Sequence, residues 1–464
     1  MQRLIALSLV FLWALRAPAE FPKPAFRETS TPYPAVELTR LEYSQPRPLR
    51  AWVARIDVTN PDVELVVTPR GKPAGGFQTC CATTLAFAQA EGVQLAINGS
   101  PFEPLRYKPG ESTNIIGVQK SRGDLIAPPI NIPRYAAMLV SPENRVALRN
   151  YPLTNSELAK ARHAIGGYEI LVENGKNRVD RNDPRGPTHP RTALGTSEGG
   201  KYLWWLVADG RQAGRSEGLY LDELADWAIS LSISELLNLD GGGSTTMVLQ
   251  DPKTAAHKVL NSPVGLGVPG SLRQNGNNLG LRIYAEPNDL KAAQLRAIMP
   301  DLPANRTPLF LGALNRAMAR AHIDNPARRA AFLAQLAHES GELKYMEELA
   351  DGKVYEGRAD LGNTQPAAGP RFKGRGPIQL TGRANYRAAG AALGLNLEND
   401  PTRVADPEIG CQVAGWFWET HGLNELADAG KFREITQRIN GGLNGIENRE
   451  KYWERAKQTL KSAG

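Results

Sequence analysis

The sequence predicts two domains, an N-terminal mixed α/β domain over residues 30–286 and a mainly helical domain over 288–464. Three observations carry this reading. At 464 residues the chain is too long for one ordinary hydrophobic core. Between about 30 and 286, short apolar runs alternate with glycine-rich polar loops, whereas beyond 288 apolar residues recur at helical spacing. The change of texture falls at Glu286-Pro287-Asn288, a link short enough for close docking.

Residues 1–19 stand ahead of both domains. Met1-Gln2-Arg3, the apolar run 4–15 and Ala17-Pro18-Ala19 read as the positive start, hydrophobic centre and cleavage site of a secretory signal peptide. That run is too short to cross a bilayer as a permanent helix and no later segment is long enough, so the expectation is a secreted protein, periplasmic or extracellular, without stable membrane insertion. Cys80, Cys81 and Cys411 are too few for a disulfide scaffold, and the adjacent pair reads as two thiols. The six histidines show no paired metal-ligand spacing, so neither metal nor cofactor is expected.

Within the N-terminal domain, 51–58, 63–67, 93–97 and 202–208 read as strands, and 83–90 and 220–231 as helices. Several strands end in polar loops: Asn98-Gly99-Ser100, His189-Pro190-Arg191-Thr192-Ala193, Asp209-Gly210-Arg211 and Asp240-Gly241-Gly242-Gly243-Ser244-Thr245-Thr246. A rigid sheet aims residues in such positions. Three successive glycines let backbone N–H groups approach a ligand closely, and an arginine can grip a phosphate with two hydrogen bonds. With Ile165-Gly166-Gly167 and Leu171-Val172-Glu173-Asn174-Gly175, these loops together resemble the phosphodiester glycosidase family, which removes N-acetylglucosamine from sugar-1-phosphodiesters. A phosphodiester oxygen leaves readily, so such a site needs charge stabilisation and one well-placed carboxylate more than an acid. On this reading Arg191 and the loop of Gly241, Gly242, Ser244 and Thr245 hold the phosphate. Asn98 makes a sugar or loop-bracing contact, and Asp209 or Asp240 supplies the carboxylate. His189 reads as a proton carrier or a structural histidine. The family pattern carries a second glycine where Ser100 stands, which leaves the sugar preference open.

In the C-terminal domain, Phe332, Leu333 and Leu336 share one side of a helix over 328–338, with Arg328, Arg329 and Gln335 elsewhere on it. Glu339 falls at its end, Gly341 stops it, and Glu348 lies beyond the turn, where it can face Glu339 across a groove. Two opposed carboxylates are what glycosidic hydrolysis requires, one to protonate the leaving oxygen and one to activate water. The runs Ala337-His338-Glu339-Ser340, Tyr355-Glu356-Gly357-Arg358, Gly374-Arg375-Gly376-Pro377-Ile378-Gln379-Leu380-Thr381, Asn385-Tyr386 and Ile439-Asn440-Gly441-Gly442 resemble the family 19 glycoside hydrolases, the chitinase and endolysin group with a lysozyme-like helical fold. The resemblance implies an inverting mechanism with Glu339 as acid and Glu348 as base. It puts Thr381 on the nucleophilic water, Gln379, Asn385 and Asn440 on the sugars, and Arg449 as an outer charge of the cleft. Glu347 is a neighbour able in principle to exchange roles with Glu348.

A formal charge of +7 favours anionic partners such as bacterial walls, and no basic-aromatic nucleic-acid module is present. No dinucleotide fingerprint, Walker loop or serine-hydrolase elbow occurs either. The expected function is a secreted bifunctional cell-wall hydrolase. Its C-terminal domain cuts β-1,4 bonds beside N-acetylglucosamine in peptidoglycan or chitin, and its N-terminal domain cleaves glycosyl phosphodiesters. The alternative is a chitinase whose N-terminal domain only binds anionic glycans.

Overall fold

A computed structural model describes residues 21–130, 132–180, 187–286 and 288–461. The expected signal peptide at 1–19 lies outside the described residues. The N-terminal part is dominated by antiparallel sheet. Its largest sheet has eight strands and holds Leu49–Asp57, Tyr202–Ala208, Arg191–Thr196, Glu235–Asn238 and Ile170–Glu173 side by side in that order. Two five-stranded sheets pack against it, one of them running from His257–Val259 through Leu95–Asn98 and Asn278–Ile283 to the edge strand Val63–Val67.

Alternation along the strands decides where the core lies. On Leu49–Asp57, Trp52, Ala54 and Ile56 face a core shared with Leu65, Ile97, Met138, Ile165, Trp205 and Leu279. Ala51 and Val53 face the other way, onto the helix Leu221–Ser230, which covers the outer side with Leu224, Trp227 and Ala228. A helix begins at Thr84 because Thr83 caps it by accepting from the Ala86 N–H, and it ends where Gly92 takes the left-handed conformation. Cys80, Cys81 and Cys411 are free thiols.

The C-terminal part is helical around a single core. At its centre lies Pro326–Glu339, started by Asn325, whose side chain accepts from the Arg328 N–H, and by proline in the first turn. The sequence reading sets Arg329 and Gln335 off the buried side, and here it is corrected. Every residue from Arg329 to Ala337 is buried, because Ile446–Lys461 crosses the helix on one side while Phe332 meets Trp418 edge-on on another. Among the described residues no helix is long and apolar enough to cross a membrane.

The two parts meet through buried charges. Glu64, on the edge strand Val63–Val67, accepts from Arg162 Nη2 at 2.9 Å, Arg316 Nη1 at 2.7 Å and the Tyr284 hydroxyl at 2.5 Å. Arg316, on the helix Thr307–Arg320, also donates to both oxygens of Glu408 at 2.6 and 3.0 Å. Gly312 on that helix permits the approach, since a Cβ there would lie 2.5 Å from the Glu64 carboxylate. Backbone contacts add to this, from Ala292 N–H to Asp62 and from Arg162 to the Pro308 carbonyl.

Two candidate active sites

Glu339 closes the central helix, and one of its oxygens accepts from Arg449 Nη2 at 2.5 Å. Arg449 is 2% exposed, so it is not the outer charge expected from sequence. It reaches Glu339 from beneath, donating also to Gln335 Oε1 at 2.5 Å and to the Asn444 carbonyl at 3.2 Å. Gln335 is fixed in turn by its amide donating to Thr436. Asn440, at the end of the helix Phe432–Asn440, donates to the same Asn444 carbonyl, so it belongs to the Glu339 side of the site.

Glu348 is held by a separate network. Its two oxygens accept from the Tyr355 hydroxyl and the Gly374 N–H, each at 3.0 Å. Gly374 has no room for a side chain: a Cβ would lie 2.8 Å from Gln379 Oε1, 3.2 Å from Glu348 Oε2 and 3.4 Å from Thr381 Oγ1. One glycine therefore gathers three of the residues expected at this site. The Thr381 hydroxyl donates to the Gln379 carbonyl, and Asn385 donates to the Thr381 carbonyl at 2.7 Å. Glu347 is engaged elsewhere, with Lys373 at 3.1 Å and Arg375 at 3.2 Å. Partial burial works to raise its carboxyl, but these cations overcome it and hold the group below its ordinary value. Tyr345, Leu349 and Val354, close in sequence to Glu348, are exposed apolar residues, Leu349 at 84% exposure.

In the N-terminal part a cavity of about 460 Å³ lies where Arg191–Thr196 and Glu235–Asn238 meet the glycine loop. Gly241, Gly242, Arg191, Asp240, Glu169 and Arg211 contribute to its wall, as does Arg273. The glycines are needed for contact: a Cβ on Gly241 would lie 2.8 Å from the Pro190 carbonyl, and one on Gly243 would lie 2.3 Å from Arg273. Arg191 spends its Nε on the Leu219 carbonyl, and its Nη groups have no hydrogen-bond partner among the described residues. Burial lowers its pKa to about 10, against the pull of Glu169. Arg211 donates to His189 Nδ1, which fixes that ring as an acceptor. Burial first, then Arg211 and Arg191, hold His189 below its ordinary pKa, so it is a neutral support for Arg211.

The two candidate aspartates separate clearly. Asp209 is 1% exposed and its oxygens accept from Asn261 Nδ2 and the Ser262 N–H, so it braces a loop. Asp240 lines the cavity; burial raises its pKa to about 6 despite the Ser244 hydroxyl and Arg273. Asn98 is also a brace, donating to the Asp240 carbonyl and accepting from Thr192 and the Thr246 N–H. Ser244 and Thr245 are fully buried beneath the loop, so of the expected phosphate residues only Arg191, Gly241 and Gly242 line the cavity. Sequence reasoning did not single out Tyr355, Gly374, Glu169 or Arg273; the first two lay inside quoted motifs, the others carried no local signal. Among the described residues no group of three or more His, Cys, Asp or Glu is placed to hold a metal ion.

Comparison with known proteins agrees with this division. The phosphodiester glycosidase family matches residues 91–282 and the class I chitinase family matches residues 319–428. A glycosyl hydrolase family 19 domain-containing protein of Haemophilus influenzae is 31% identical over 173 residues, 30% of this chain and 84% of that protein. An Arabidopsis thaliana endochitinase is 45% identical over 114 residues, which is 24% of this chain and 38% of the endochitinase, so the chain spans well under half of that relative. Among solved structures, the catalytic domain of zebrafish N-acetylglucosamine-1-phosphodiester alpha-N-acetylglucosaminidase superposes with a TM-score of 0.42 at 17% identity, covering 55% of this chain and 87% of that one.

Proposed function

Since the chain belongs to glycoside hydrolase family 19 and carries a phosphodiester glycosidase domain ahead of that unit, we propose that it is a secreted, bifunctional cell-wall hydrolase. The C-terminal domain cuts β-1,4 bonds beside N-acetylglucosamine, with peptidoglycan as the first-choice polymer and chitin as the competitor. The observation that carries this is the separate support of two glutamates, Glu339 by Arg449 and Glu348 by Tyr355 and Gly374. Glu339 delivers a proton to the leaving oxygen, and Arg449 stabilises the carboxylate left behind. Glu348 takes a proton from the attacking water. Thr381, having donated its own hydrogen to the Gln379 carbonyl, presents hydroxyl lone pairs that accept from that water. Exposed apolar Leu349 and Val354, next in sequence to Glu348 and to its partner Tyr355, suit the lactyl branch that distinguishes peptidoglycan from chitin. Mass analysis of fragments released from each polymer tests the assignment; release from chitin alone would sink the peptidoglycan reading.

The N-terminal domain hydrolyses glycosyl phosphodiesters. Arg191, Arg211 and Arg273 hold the anion against the glycine loop, and Asp240 is the base that activates water. A base works only when ionised, so turnover of a simple N-acetylglucosamine-1-phosphate ester rises as pH passes upward through about 6. Asp240→Asn removes that limb and lowers kcat by roughly 10²- to 10⁴-fold. Because the native carboxyl is raised above its unfolded value, its ionisation costs stability as pH rises through the folded pKa, and Asp240→Asn is therefore the more stable protein above that pH. An acid limb that survives in Asp240→Asn would remove Asp240 from this role.

A further inference from the structure

A second cleft of about 460 Å³ lies in the N-terminal domain apart from the Asp240 cavity, and Arg40, Arg50, Arg215, Trp52, Glu28 and Leu260 contribute to its walls. Arg40 and Arg50 stand on neighbouring strands, where the register sets Arg40 beside Trp52 and Glu42 beside Arg50, all on one face. A single carboxylate, Glu42, serves both arginines: it touches Arg40 and lies 3.7 Å from Arg50 Nε. Arg40 Nε is buried with no hydrogen-bond partner. Among the described residues, the Arg215 side chain makes no hydrogen bond or ion pair, and it is exposed.

Arg215 comes from the same small hairpin as Arg211, closed by the bridge between Gln212 and Ser216. That hairpin turns Arg211 into the Asp240 cavity and Arg215 into the second cleft. It is also tied to the cleft wall, since the Arg50 N–H donates to Ser216 Oγ and the Asp209 N–H to the Arg50 carbonyl, each at 2.9 Å. Asp209, the brace excluded from catalysis above, thus stiffens the partition between two cation-lined clefts. Arg40, Arg50 and Trp52 precede residues 91–282, so part of the second cleft comes from strands outside the matched segment.

We propose that this cleft binds a phosphodiester of a poly(polyol phosphate) strand, the neighbour of the one presented to Asp240. This deepens, and rests on, the reading of the N-terminal domain as a glycosyl phosphodiesterase, and it names a repeating wall polymer as its substrate. Guanidinium groups are suited to a monoanionic diester through paired N–H donors. Two clefts on one hairpin hold a repeating anion at high effective concentration, which a lone diester cannot exploit.

The test is calorimetric titration of the full chain with a glycerol phosphate oligomer long enough to reach both clefts, against the single diester bis(glycerol) phosphate. Arg215→Gln weakens oligomer binding roughly tenfold or more, as does Arg40→Gln, while the melting temperature of Arg215→Gln stays close to that of the parent because the side chain is exposed and makes no hydrogen bond among the described residues. Arg215→Lys keeps part of the affinity. Oligomer binding unchanged in both charge-removing variants would overturn the proposal, and so would a single-stranded DNA of equal phosphate number that competes as well as the oligomer. If the parent binds the oligomer through Arg215 yet turns over no glycosyl phosphodiester, the cleft assignment stands and the catalytic reading of the domain falls.

Discussion

Glu339→Gln lowers kcat on the β-1,4-linked polymer by about 10³-fold while leaving the chain folded. The amide matches the carboxylate in shape, so it still fills the end of the central helix, but it has no proton of the required acidity to give to the leaving oxygen. It also puts a neutral group beside a buried guanidinium: Arg449 keeps its donations to Gln335 and the Asn444 carbonyl, and meets an amide oxygen in place of a carboxylate at position 339. A moderate loss of stability therefore accompanies the catalytic loss, and circular dichroism with a denaturation curve separates the two. Glu348→Gln gives a loss of similar order without that stability penalty, because its partners are a phenol and a backbone N–H, neither charged. In the parent enzyme, proton NMR of the first product finds the anomeric centre inverted, as water attack from the face opposite the leaving group demands. Either amide variant retaining full turnover, or retention at the new reducing end, would remove this pair from the mechanism.

Why Glu339 was legible and Arg449 was misplaced follows from range. The position of Glu339 depends on the spacing of Phe332, Leu333 and Leu336 and on the stop at Gly341, all within one helix and its turn. Arg449 lies 110 residues away in sequence, and only the packing of Ile446–Lys461 across the central helix brings it underneath. The same packing buries Gln335, which a local reading puts off the apolar side. In the N-terminal domain, strand ends were recognisable from apolar runs that stop in polar loops. Which carboxylate faces the cavity was not. Asp209 and Asp240 both follow strands in the sequence, and their roles separate only once the 261–262 segment is seen to occupy Asp209. The glycine run was legible for the opposite reason: a requirement for close backbone approach is written in the residue type itself, and Arg273 against Gly243 is what approaches.

Arg316→Met is expected to cost about 3–5 kcal/mol, because it takes from two buried carboxylates the cation that approaches both most closely. Methionine retains much of the apolar stem, so the loss reports charge and not a cavity. In the parent, burial works to raise the Glu64 and Glu408 carboxyls, but Arg316 and Arg162 overcome it and hold both below the ordinary range. A depressed native pKa stabilises the fold above the unfolded value, about 4.3 for glutamate, and that stabilisation is lost as pH falls further. In Arg316→Met the balance moves toward burial: Glu64 and Glu408 keep Arg162, 2.9 Å from Glu64 and 3.8 Å from Glu408, and the field of Arg122, but lose their strongest cation. Protonation then relieves the variant. The stability gap between parent and variant should therefore be largest at neutral pH and shrink on acidification toward the carboxylate range, as read from urea midpoints at each pH. A gap that widens on acidification would show that the carboxylates stay satisfied without Arg316. The same cluster joins Val63–Val67 of one domain to the helices Thr307–Arg320 and Pro407–Thr420 of the other. Calorimetry of the parent should accordingly give one cooperative transition, and Arg316→Met should split it, with the loss of docking exposing Glu64 and its remaining partner Arg162 to water.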